Sequence, residues 1–172
     1  MKIERKLKEM GLELLPLAPA VASYIQYVQV GSLLFLAGTT GERGDQRGMA
    51  GKLGRDLTTQ QGYEAAKLCG LAHLAMMKAA VGDLDRVERI VRLIGYVNCA
   101  AGWQEAPWVV NGESDLYIAL WGEKGRHARA ALYAPELTYN MAVETEVIVQ
   151  FKRGVRARPF RSGGPAPAPR KP

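Results

Sequence analysis

Cysteine and histidine are scarce in this sequence, with two of each among 172 residues. Cys69 and Cys99 are too few for a disulfide framework, and no CxxC offers a thiolate zinc site. A reducing cytosol is therefore the expected compartment. His73 and His127 do not make a histidine-rich centre, so no metal is expected. No apolar run approaches the roughly 18–20 residues of a membrane span. The opening residues, MKIERKLKEMG, carry charge without an apolar stretch, so no secretory signal is expected. G-x-S-x-G, H-E-x-x-H, Walker and G-x-G-x-x-G sequences are missing as well.

Acidic residues are absent from the last stretch, 153–172. It holds six of the 23 basic side chains and five of the nine prolines. The remaining 17 basic residues balance the 17 acidic ones, so the net charge of +6 resides in that stretch alone. A neutral body over 1–152 does not read as a nucleic-acid surface. Residues 153–172 lack an apolar period and are expected to be a disordered basic tail, capable only of weak electrostatic contact with nucleic acid. The body is long enough for one domain with a single core.

Ile3, Leu7 and Met10 share one helical face, and Gly11 suits the stop. A Pro/Ala connector follows, which completes an N-terminal helix-and-connector unit over 1–22. Tyr24–Val30 and Ser32–Ala37 read as a hairpin about Gly31. Residues 39–56 carry five glycines among charges and read as a solvent-exposed excursion. Thr58 and Gln61 suit a capping box for a helix over 58–81, and Gly82 suits its end. Cys69, Met76 and Met77 pack within that helix, and His73 offers no evident role. Residues 86–98 read as a central strand, and 107–121 as a helix with Pro107 in its first turn. Strands are expected at 129–134 and 140–151. In the latter Val143, Val147, Val149 and Phe151 share one face, and Glu144, Glu146 and Gln150 the other. This order predicts an α+β domain, a mixed sheet with two main helices on one face.

Arg129 opens one strand, and Glu144 lies on the polar face of the next. A short connection would bring the two onto one face. A guanidinium captures a carboxylate in two-pronged fashion, and a carboxylate nearby can orient or deprotonate a water. An Arg–Glu pair that merely decorates a sheet or an interface is the alternative.

Five segments carry a resemblance: Ser23–Val28, Gly31–Gly38, Val110–Asp115, Gly125–Arg129 and Val143–Glu146. In their order and spacing the sequence resembles the RidA/YjgF family of enamine/imine deaminases, formerly labelled L-PSP endoribonucleases. It is most similar to a longer subgroup with an extra N-terminal helix, an Asn-Gly-x-Ser-Asp stretch and Gly-x-His-Ala-Arg. The resemblance implies a chorismate-mutase-like fold and a homotrimer with pockets between subunits. It implies that Arg129 holds a substrate carboxylate and Glu144 positions water, with Tyr24, Gly38 and Asn111 lining the pocket. Ala131 stands there in place of a common cysteine. Ala37, Thr39 and Thr138 are further departures, and these alter pocket shape. With pockets between subunits, the resemblance leaves open which subunit supplies Tyr24 and Asn111. The implied reaction converts a 2-iminoacid, of the 2-iminobutanoate or 2-iminopropanoate type, to a 2-ketoacid and ammonia without cofactor. A carboxylate-binding regulatory trimer and an RNA-directed activity are the alternatives. His127, two residues before Arg129, reads as packing or anchoring its loop, and Tyr133 shares Arg129's face.

Overall fold

The computed structural model describes residues 1–14, 16–17, 20, 22–42 and 48–160. Helix α1 spans Lys2–Glu9, and strands β1 (Tyr27–Val30) and β2 (Leu33–Leu36) form the hairpin. Helix α2 (Thr59–Val81), strand β3 (Val87–Asn98), helix α3 (Ala106–Trp121) and strands β4 (Ala128–Ala134) and β5 (Val143–Phe151) follow.

Helix α2 begins as its sequence dictates: the Thr58 side chain accepts from the Gln61 N–H, and the Gln61 side chain accepts from the Thr58 N–H. Helix α1 has no local side-chain cap. Its first amides donate instead to Asp85, from Lys2 at 2.7 Å and Ile3 at 2.9 Å. Lys78 pairs with Glu4 at 2.7 Å, and Ile3 and Leu7 are buried beneath the helix.

The five strands form one mixed sheet in the order β1-β2-β5-β3-β4. Only β3 and β4 are parallel, and α3 is the crossover that parallel neighbours require. Helices α2 and α3 pack together on one sheet face. Gly112 permits their close crossing, because a Cβ there would overlap the Tyr63 carbonyl oxygen. Leu93, Val97, Val147 and Val149 point toward the helices and are fully or almost fully buried. Each such side chain contributes about 1.5–3 kcal/mol of burial free energy. The opposite face carries Val28, Val30, Phe35 and Leu132, all exposed.

Three expectations change. Strands β4 and β5 are not neighbours: β3 lies between them and completes hydrogen-bonded ladders on both of its edges. Period-2 patterning assigns a face, not a neighbour. Secondly, the ends of 39–56 are not a solvent excursion. Thr39 bridges Thr145, Ala50 bridges Met141 and Leu53 bridges Cys99. Leu53 is fully buried, and Lys52 donates to Asn98 Oδ1 at 2.9 Å and to the Pro135 carbonyl. Residues 43–47 lie outside the described residues.

Thirdly, the chain stays packed beyond Lys152. Val155, Ala157 and Phe160 pack against the core, and the Phe160 ring meets Tyr27 edge-on at 5.5 Å. The Arg158 N–H donates to the Ala80 carbonyl at 2.8 Å. The expected tail therefore does not begin at 153; residues 161–172 lie outside the described residues. Among the described residues, no helix is long and apolar enough to cross a membrane.

Candidate functional site

Arg129 lies on β4 opposite Leu93, so its side chain leaves the sheet on the helix-covered face. There it meets the first half of α3. One terminal nitrogen, Nη1, donates to Asn111 Oδ1 at 2.7 Å and to Ser114 Oγ at 3.0 Å. The other, Nη2, donates to the Pro107 carbonyl at 3.3 Å. All three acceptors are neutral, and no carboxylate among the described residues forms an ion pair with it. Partial burial lowers the Arg129 pKa, with Asp115 opposing, but a guanidinium stays protonated. The arrangement fixes a cation without neutralising it, which suits it to an incoming anion.

Ser114 is in turn held by His127. The Gly125 carbonyl, 2.7 Å from Nδ1, can only accept, so Nδ1 carries hydrogen. In the neutral ring Nε2 then accepts from the Ser114 hydroxyl at 3.1 Å. Burial, before any other influence, lowers the His127 pKa from 6.5, which favours that neutral ring. The Tyr117 ring lies edge-on against the imidazole at 6.1 Å.

Glu144 pairs with Tyr96 on β3, an odd number of residues from the buried Val147, so it stands on the uncovered face. Gly38, just after β2, lies against it: a Cβ on Gly38 would sit 2.5 Å from Glu144 Oε1. Burial raises the Glu144 pKa above 4.5, and the Glu146 and Glu42 carboxylates add to the rise. Glu42 is fixed locally, accepting from the Thr40 N–H at 3.1 Å and the Thr40 hydroxyl at 2.5 Å.

The anticipated residues thus form two groups. Asn111 joins Arg129 in the same chain. Ala131 follows two residues later on the same face, opposite Gly95. Tyr133, next on that face, donates to the Gln104 carbonyl at 2.9 Å. Gly38 joins Glu144 instead. Tyr24 precedes Tyr27, the partner of Leu36, and so stands exposed at the Gly38 end of the hairpin. The expected meeting of Arg129 and Glu144 through adjacent strands does not occur. They leave opposite faces of the sheet with β3 between.

Reading the sequence missed Ser114 and Glu42 as participants. It also passed over a buried cluster under the sheet. His73 and Glu113 are fully buried and meet at 2.9 Å, and the Tyr117 hydroxyl donates to the same Glu113 oxygen at 2.6 Å. Burial, followed by the Glu113 charge, raises the Tyr117 pKa well above 10.0. His73 Nε2 donates to the Ala37 carbonyl at 3.2 Å. Helix α3 therefore reaches both groups: Asn111 and Ser114 hold Arg129, and Glu113 acts through His73 on the residue before Gly38. The helical offset of Glu113 from Ser114 was the available signal, but a buried acid has no periodic signature.

A family model described as "YjgF/chorismate mutase-like, putative endoribonuclease" matches residues 4–149. Protein TCP17 from Trypanosoma cruzi is 37% identical over 150 residues, which cover 87% of this chain and 94% of that protein. The crystal structure of an Agrobacterium tumefaciens protein of unknown function superposes with a TM-score of 0.81 at 37% identity, over 87% of this chain and 92% of that one. A Shewanella oneidensis structure, described as a putative endoribonuclease, gives 0.84 at 33% identity, over 88% and 100% of the two chains.

Proposed function

This chain belongs to the YjgF/chorismate-mutase-like family, and we propose that it is a hydrolytic deaminase of 2-iminoacids and their enamine tautomers. The observation that carries the reading is the Arg129 guanidinium, hydrogen-bonded to neutral acceptors and in no ion pair among the described residues. Such a group selects a small carboxylate. A homotrimer supplies the rest of the pocket. Arg129, Asn111, Ser114 and Ala131 come from one protomer, and Glu144, Gly38 and Tyr24 from its neighbour. Two features support this assembly: the two groups occupy opposite faces of a single sheet, and the uncovered face presents Val28, Val30, Phe35 and Leu132. Cys69 and Cys99 are free thiols, in keeping with a cytosolic setting.

In the reaction the substrate carboxylate docks on Arg129, and Glu144 holds a water against the imine carbon. The water oxygen bonds to that carbon as the C=N π pair moves to nitrogen. Glu144 takes the water's proton and returns it to nitrogen. The carbinolamine then collapses: the hydroxyl proton passes to the amino nitrogen, C=O forms, the C–N bond breaks and ammonia leaves. Imines are electrophilic already, so orientation and a water-poor pocket suffice for acceleration. The raised Glu144 pKa makes it a better base than an ordinary carboxylate.

The test is turnover of a 2-iminoacid generated in situ by an amino-acid oxidase, followed as ammonia release. Wild type should accelerate release. Arg129→Ala should lose about 100-fold or more in kcat/KM, and Arg129→Lys should remain poor for want of a two-pronged donor. Equal release by wild type and Arg129→Ala refutes the deaminase. Saturable binding of 2-ketoacids without turnover would assign the pocket to a carboxylate-binding regulator instead.

A further inference from the structure

The two stretches that mark the longer subgroup, Asn111–Asp115 and Gly125–Arg129, are joined by one directed chain of hydrogen bonds. It runs from Arg129 Nη1–H to Ser114 Oγ at 3.0 Å, from the Ser114 hydroxyl to His127 Nε2 at 3.1 Å, and from His127 Nδ1–H to the Gly125 carbonyl at 2.7 Å. Every direction is dictated by its ends. A guanidinium only donates and a carbonyl only accepts, so the hydroxyl and the neutral ring between them each donate once and accept once. Ser114 has one other acceptor, the Val110 carbonyl, but at 3.4 Å it is the longer contact.

We propose that His127 is a positioning residue for Arg129, acting through Ser114 to aim the guanidinium at a substrate carboxylate. This rests on the carboxylate-binding reading of Arg129 given above. Without an acceptor at Nε2 the Ser114 hydroxyl is free to turn toward Val110. Its lone pairs then no longer face Nη1 in a fixed orientation, and Arg129 keeps only Asn111 and the Pro107 carbonyl. Because the hydroxyl donates to nitrogen while accepting from a cation, the two bonds polarise each other. His127 also lies at the mouth of the strand, with Gly125 fixing its ring, so Arg129's Cα and the ring that steers its head are set by the same few residues.

The experiment measures binding of two probes by calorimetry: 2-oxobutanoate, and its neutral amide, 2-oxobutanamide. The preference for the acid over the amide reports how well Arg129 is aimed, and general damage to the pocket weakens both ligands alike. Proteins to compare are wild type, Arg129→Ala, Ser114→Ala, His127→Phe, the Ser114→Ala/His127→Phe double variant, and His127→Gln. The His127→Phe and Ser114→Ala changes should each reduce the acid preference roughly five- to tenfold. The double variant should be no worse than either single change, since both break one chain. His127→Gln, which returns an acceptor within reach of Ser114, should recover part of the loss.

If wild type and Arg129→Ala bind the acid equally, the carboxylate site itself is wrong and the positioning role falls with it. If binding depends on Arg129 but His127→Phe and Ser114→Ala behave as wild type, only the positioning role is overturned. Equal weakening of acid and amide in these variants also overturns it, because it assigns His127 to packing.

Discussion

Arg129 and Glu144 leave opposite faces of one sheet. Arg129 sits opposite Leu93 on β4, and Glu144 opposite Tyr96 on β5, with β3 between the two strands. Two strand spacings already separate them by roughly 10 Å, before the offset along the strands is added. A pocket that uses both groups on one small substrate must therefore take them from different copies of the chain. The proposed trimer would bring the two groups together across a subunit boundary.

Gly38→Ala should separate catalysis from folding. The new Cβ would lie 2.5 Å from Glu144 Oε1, so the carboxylate must swing aside. Gly38 does not have a left-handed backbone, so alanine costs little there. We expect kcat to fall by about tenfold or more, with Tm within a few degrees of wild type. Undiminished turnover would remove Glu144 from the mechanism.

The acid limb of the pH profile should sit above the range of an ordinary glutamate. Glu144 must be ionised to hold and deprotonate water, and burial, then Glu146 and Glu42, push its pKa up from 4.5. Activity is therefore present above the raised pKa and lost as pH falls through it. Glu146→Gln removes one of the repelling charges and should move the limb to lower pH. Profiles of kcat/KM from about pH 4 to about pH 8 decide this, and an unmoved limb would mean that Glu144 is not the titrating base.

Phe35→Glu should dissolve the assembly. Phe35 is 41% exposed on the uncovered sheet face, beside strands that also expose Val28 and Val30. A charge buried at a subunit contact is costly unless paired. Sedimentation should show monomers of native helical content, and turnover should vanish although Arg129 and Glu144 are both intact. A Phe35→Glu trimer with full activity would place the contact elsewhere.

His73→Phe should be strongly destabilising. The ring fits roughly the same space, but it leaves the buried Glu113 side chain without its partner and the Ala37 carbonyl without its donor. Leaving a buried polar group unsatisfied costs about 1–3 kcal/mol, more where it is charged. Urea unfolding with an unchanged slope and a lower midpoint is the expected result. A loss below about 1 kcal/mol would mean that the cluster is not a structural tie.

Much of the local structure is legible in the sequence because its causes are local. Thr58 and Gln61 cap α2 from three residues apart, and the alternation Val143–Phe151 assigns each side chain of β5 to a face. The same alternation is silent about neighbours. Chain order makes β4 and β5 look adjacent, whereas the α3 crossover returns β4 parallel to β3 and leaves β3's other edge for β5. The cap of α1 comes from Asp85, and Phe160 is held by Tyr27, across separations that no sequence window spans.

The sequence by itself determined the α+β class and the principal helices and strands, since composition and periodicity act over a few residues; Arg129 and Glu144 it offered as candidates, through the resemblance to a family. The tertiary structure decided that Arg129 belongs with Asn111, Ser114 and His127, and Glu144 with Gly38. It also decided that the two groups face apart. Those facts depend on which strand edge each ladder fills, and that is settled only when the whole sheet closes its hydrogen bonds around a shared core.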